Sequence, residues 1–253
     1  MKRQPQKNDP IKQHFVPTVY LRNFCDQQGH VHIYDLQTMI PRHCIPEQTA
    51  FEKHLYTVVH NGHKDFGIEK AFCDLEGTYA THLRTIESGF YNQVTSNDYK
   101  DILHFMAFLY ARNPSKLKIA YEIEHKLQTF LVNSLQTPAS DSVQHGAMSM
   151  MVTVAETMFT ELTFEGDWLF IVAPPNAEFI TTDDPMDNMV FLPLSKKVLL
   201  WRVTEGIDDL RKKGNVLNAS AEWVNEINTT IATTAKRLLY GSSVEVLKPH
   251  IPR

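Results

Sequence analysis

Glu69 and Glu76 are seven residues apart, close to two turns of an α-helix, so both project from one side, with Glu87 near the same stripe. Hard divalent cations take carboxylate oxygens and usually retain water. Joined by Asp183, the pair Glu69 and Glu76 would make a Mg²⁺ or Mn²⁺ site for attack on a phosphodiester. In that reading His14, whose ordinary pKa lies near neutrality, moves a proton, while Arg22 and Arg112 stabilise the phosphate. The competing reading of the two helical acids is a solvated flank.

Arg112 shares the apolar side of a helix with Phe105 and Leu109 and sits in its last turn. A guanidinium there requires a carboxylate, a ligand phosphate or the helix's own terminal carbonyls. It is therefore either a structural tie to a Glu or an anion-binding group. Asp183 follows an apolar strand and precedes a proline turn, where a short acid either faces a cleft or accepts backbone amides. Asp184, directly before Pro185, reads as the turn residue. His14 reads as a general acid or base, or as a hydrogen-bonded core histidine; Asn228 would orient a ligand or cap buried backbone.

Eight of the twelve histidines fall in the first 82 residues, including His30-x-His32 and His60-x-x-His63. Strand residues at i and i+2 face one side and can chelate. No cysteine pair or H-E-x-x-H motif completes a zinc site, so zinc is not expected. Phosphate-binding glycine loops and the G-x-S-x-G elbow are absent as well, which leaves standard nucleotide-binding and α/β-hydrolase readings without support.

The elements that must position these residues are predicted as strands, then helices, then strands and a helix. Residues 14–62 read as β-rich, with His30 to Tyr34 after the Gln28-Gly29 turn and Leu55 to Val59 before Asn61-Gly62. Helical character covers 67–165. Ile68, Phe72, Leu75, Tyr79, Leu83 and Ile86 share one face, and a central helix begins at the Ser96-Asn97-Asp98 cap signal and stops before Pro114. Helices near 115–135 and 140–162 follow, separated by Thr137-Pro138, with Met148 to Met151 and Met158 as core packing. Short strands return over 168–203, among them Glu178 to Thr182 and Met189 to Leu192, before a helix over 219–239. The expected class is α+β, one domain over 14–253 in which β-rich ends join around a helical middle, preceded by a disordered arm over 1–13.

Residues His14-Phe15-Val16-Pro17-Thr18-Val19-Tyr20-Leu21-Arg22-Asn23-Phe24 carry a family resemblance. The chain resembles an uncharacterised, mainly bacterial family whose members open on His-Phe-Val-Pro-Gln-x-Tyr-Leu-Arg-x-Phe, here with Thr18 in place of Gln. Further matches are Tyr34-Asp35, Tyr56, Glu69 and Glu76, Arg112-Asn113-Pro114, Thr182-Asp183-Asp184-Pro185, Leu192-Pro193-Leu194-Ser195 and Asn228. Asp184 stands where members tend to carry Asn. The resemblance supplies candidate residues and no reaction.

Composition narrows the function classes. With 43% apolar and 21% charged residues the chain is that of an ordinary globular protein. A net charge of −4 argues against a surface built for non-specific binding of nucleic acid or anionic lipid. Three well-separated cysteines fit a reducing compartment, and cytoplasm is the expected location. No apolar run approaches the length of a membrane span, and the basic N-terminus lacks the apolar segment of a secretory signal. Three readings follow. The first is a phosphate-ester-directed hydrolase, nuclease-like, acting on a small anionic substrate or nucleic acid. The second is a non-catalytic module binding an anionic small ligand or a protein. The third is a buried ion-pair network that fixes the fold.

Overall fold

The computed structural model describes residues 11–60, 63–135, 143–164, 167–187, 190–203 and 215–251. The arm over 1–10, the Asn61-Gly62 turn, the Thr137-Pro138 break and Met189 lie outside the described residues. The fold is α+β, with strands on both sides of a helical middle.

The N-terminal part contains β1 (Lys12–His14), a short α1 (Thr18–Leu21), β2 (Val31–Asp35), β3 (Ile40–Cys44), β4 (Phe51–Lys53), β5 (Val58–His60) and β6 (His63–Asp65). Lys12 and Gln13, expected in the arm, belong to β1, because Gln13 is fully buried. Its side chain accepts from Tyr56 N at 2.6 Å and donates to Thr57 Oγ1 at 3.0 Å. Most of the opening motif is core. Tyr20 Oη donates to Pro193 O and meets Thr181 Oγ1, both at 2.8 Å, and so ties the N-terminus to the distant second half of the chain.

The helical middle is α2 (Gly67–Glu87), α3 (Ser96–Ala111), α4 (Pro114–Leu135) and α5 (Val143–Phe164). In α2 the expected face is buried at Phe72, Tyr79, Leu83 and Ile86. Thr95, one residue before the expected cap, starts α3 with a reciprocal capping box to Asp98. Residues around most of the circumference of α3 are buried, and Phe105 stacks on Tyr79 with ring centroids 3.9 Å apart. Met148, Met151 and Met158 are buried as core packing. At the α3–α4 corner, Asn113 Oδ1 accepts from Ser115 N at 2.9 Å, and Pro114 suits the first helical position because its missing N–H would go unpaired there.

After α5 come β7 (Asp167–Val172), β8 (Thr181–Thr182), β9 (Phe191–Pro193), β10 (Val198–Val203), β11 (Val216–Asn218), α6 (Ala221–Ala232), β12 (Leu238–Gly241) and α7 (Val244–Leu247). One four-stranded sheet runs β11-β7-β10-β9 and a second runs β3-β2-β12-β8. The second joins the two β-rich ends, with Leu239 opposite Tyr34 on one side and Thr182 on the other. One hydrophobic cluster draws on residues from Val16 to Tyr240.

Two expectations need correction. The helix predicted over 219–239 ends at Ala232, and Leu238–Gly241 is a central strand. Thr229, Thr230, Thr233 and Thr234 are β-branched and weak helix formers, whereas Leu238 to Tyr240 is an apolar run buried on both faces. The strand expected from Glu178 shrinks to Thr181–Thr182 because a side chain takes its backbone groups. Asn228 Oδ1 accepts from Ile180 N at 3.1 Å, and Asn228 Nδ2 donates to Glu178 O at 2.9 Å.

Among the described residues, no helix is long and apolar enough to cross a membrane.

Candidate functional site

The α3–α4 corner carries two adjacent residues that look in different directions. Arg112 closes α3 and is buried. Its Nη1 donates to Glu76 Oε1 at 2.9 Å, and its Nη2 donates to the carbonyl of His14. The guanidinium lies over the Phe72 ring, 4.3 Å from its centroid, while Tyr56 Oη donates to Arg112 O at 2.7 Å. Aromatic faces, a carboxylate and a carbonyl are what a desolvated guanidinium needs.

Four of the candidate residues, His14, Glu69, Glu76 and Arg112, therefore belong to one neighbourhood. Burial raises the Glu69 carboxyl above its usual range, with the Arg112 charge opposing and Glu76 adding to the rise. Burial also lowers the His14 imidazole, against a backbone hydrogen bond at Glu47. The ring packs edge-on against Phe51 at 5.5 Å. His14 Nε2, Glu69 Oε2 and Arg112 Nε are buried without a hydrogen-bond partner.

Asn113 looks the other way. Its Nδ2 donates to Asp183 O at 2.7 Å, and both residues line a cleft of about 470 Å³. The cleft lies between the start of α4, Phe15 of the opening motif, and the Lys236-Arg237 pair that leads into β12. Asp183 Oδ1 accepts from Lys236 N at 2.9 Å and Arg237 N at 3.3 Å. Burial raises the Asp183 carboxyl, and these amides oppose the rise.

Three cations reach the cleft wall. Arg237 is committed to Asp35, with Nε at 3.0 Å and Nη2 at 2.6 Å from one oxygen. Lys236 holds Asp187 at 2.8 Å, and Lys116 holds the same carboxylate at 2.7 Å. Arg42, from β3, has no acidic partner among the described residues. Behind Lys116 and Lys236 lies Asp184, fully buried, with Oδ2 3.6 and 3.7 Å from the two ammonium groups. Neither of its carboxylate oxygens has a hydrogen-bond partner.

Asp183 thus reaches the corner through Asn113 and lines the cleft, whereas Glu69 and Glu76 line no part of it. Glu76 is engaged by Arg112, and among the described residues no three His, Cys, Asp or Glu side chains are grouped to hold a metal ion. Arg22 is exposed and paired with Glu47, outside both groups. Asn228 serves the backbone at Ile180 and Glu178, also outside them. Sequence reasoning did not single out Arg42, Lys116, Asp187, Lys236 or Arg237. The adjacent Lys236-Arg237 pair before an apolar run was the one signal available.

A family model described as Protein of unknown function (DUF4238) matches residues 12–245, a span that takes in every motif from His14 to Asn228. No curated protein and no solved structure matches the chain.

Proposed function

The chain belongs to that family, and we propose that, as a member of it, the protein binds a small anionic ligand in the cleft at the start of α4. One observation carries this reading: the cleft gathers Arg42, Lys236 and Arg237 at the N-terminal end of a 22-residue helix. The dipole of that helix places partial positive charge at its start and favours anions. Arg42 supplies the guanidinium with no acid of its own, suited to a phosphate or carboxylate. Asp183 accepts a hydroxyl or amino donor from the same ligand. The volume of about 470 Å³ suits a phosphorylated molecule of roughly nucleotide size.

A second reading, hydrolysis of a phosphate ester, is favoured by the raised pKa of Asp183, which equips it to take a proton from water. Free Cys25, Cys44 and Cys73 support a reducing compartment such as the cytoplasm for either activity.

Thermal shift and titration calorimetry with inorganic phosphate, nucleoside monophosphates and a single-stranded oligonucleotide test both readings. Wild type should gain thermal stability with at least one phosphate compound. Arg42→Ala should keep the unliganded melting temperature and bind at least tenfold more weakly. Phosphate release by wild type, lost in a folded Asp183→Asn, would establish the catalytic reading. An Arg42→Ala protein that binds as wild type does, or a wild type that responds to none of the compounds, would refute the cleft.

A further inference from the structure

Helix α4 presents one face to α5, with Leu117, Ala120 and Glu124 buried. A different face carries Ile119, Ile123, Leu127 and Phe130, exposed by 54%, 47%, 47% and 60%. Spacings of four, four and three residues put these side chains in one row, about 16 Å long at the helical rise. A run of large apolar groups in register on one helix differs from single exposed apolar residues, which need no partner.

The charges beside the row decide what covers it. Glu122 and Lys126 are exposed, border the row and have no ion-pair partner among the described residues. When α4 is laid antiparallel on a copy of itself, the register that sets Ile119 against Phe130 brings Ile123 to within one residue of Leu127. Within a residue or two it also sets Glu122 against Lys126, twice by symmetry. A parallel arrangement about a two-fold axis sets the Glu122–Lys126 flanks of the two copies on opposite sides, so neither pair forms. The row is self-complementary in one direction only.

We propose that this face of α4 is a dimerisation surface on which a second copy of the chain docks antiparallel about a two-fold axis. Such an isologous contact closes on itself and leaves no open end for further growth. At on the order of 100 Å² per side chain, the two rows together contribute about 800 Å² of apolar surface. That is below the roughly 1,200 Å² of a stable specific interface, so the dimer is a weak, reversible one that forms only as concentration rises. The row begins more than a turn beyond the cleft at Pro114 and Ser115, so pairing leaves the cleft accessible.

Sedimentation velocity on the full chain, from about 1 to 100 μM, tests this directly. Mass should rise with concentration from 29.1 kDa towards twice that value. Ile123→Glu combined with Leu127→Glu alters exposed positions only, should keep the wild-type circular dichroism and melting temperature, and should weaken association at least tenfold. Glu122→Lys should weaken it by several-fold, and adding Lys126→Glu should restore it. A wild type that stays monomeric at 100 μM overturns the proposal, as does a dimer indifferent to the two glutamates. A monomer that sediments with anionic lipid vesicles would also overturn it, assigning the row to a membrane surface instead.

Discussion

Arg112→Met should lose about 3–5 kcal/mol of unfolding free energy, the usual consequence of removing one member of a buried, hydrogen-bonded charge pair. The methionine fills the space over Phe72, but the partly buried Glu76 and the His14 carbonyl lose their donor. Arg112→Lys should recover only part of the loss. An ammonium on a flexible stem cannot reach both acceptors from a planar fork while stacked on a ring. Urea unfolding of the three proteins at pH 7 checks the order. If Arg112→Met unfolds as wild type does but fails to bind phosphate compounds, the arginine belongs to the ligand site and its structural assignment is wrong.

Asp184→Asn should act in the opposite direction, and in a pH-dependent way. Burial pushes the Asp184 carboxyl up to about 6 from its ordinary 3.8, with Lys116 opposing. The folded protein therefore binds this proton more tightly than the unfolded chain does. Stability from this group is complete below the ordinary carboxylate range and is lost as pH rises through about 6. Above that value the ionised carboxylate costs on the order of 1–3 kcal/mol, taking 1.36 kcal/mol per pKa unit. The amide carries no such cost, and Asp187 still holds Lys116 and Lys236. Asp184→Asn should accordingly be more stable than wild type at pH 8, with the difference gone below about pH 3. Lower stability of the variant at pH 8 would mean that the two lysines repay the burial of the charge in full.

The helical middle was legible because burial imposes a period. Phe72, Tyr79, Leu83 and Ile86 recur at helical spacing, and α3 is apolar nearly all round, as a central helix must be. Arg112 was legible for the same reason, a charge on an apolar face demanding partners, and a Glu, though not Glu76 by name, was among the partners expected. The end of α6 was not. Leu238 to Tyr240 fit a helical face as well as a strand, and only the slot between β2 and β8 decides between them. The cleft was least legible. Arg42, Lys236 and Arg237 come from a strand and a turn with no shared period, and nothing local records that Asp35 and Arg237 meet across 202 positions. Asn228 was legible in part: capping buried backbone was one of its two readings, but nothing local says that the backbone it takes is at Ile180 and Glu178.

The place of β12 between β2 and β8 has a kinetic consequence. Its partner β2 was laid down some two hundred positions earlier, and closing a loop of that span must precede any return from the contacts. Until that closure the N-terminal sheet carries β2 as an open edge, a template for misplaced pairing in a nascent chain. The cleft is subject to the same delay, because Lys236 and Arg237 reach its wall only as β12 docks. The binding proposed for this cleft therefore requires the completed sheet, and a phosphate compound added during refolding should accelerate no step before its closure.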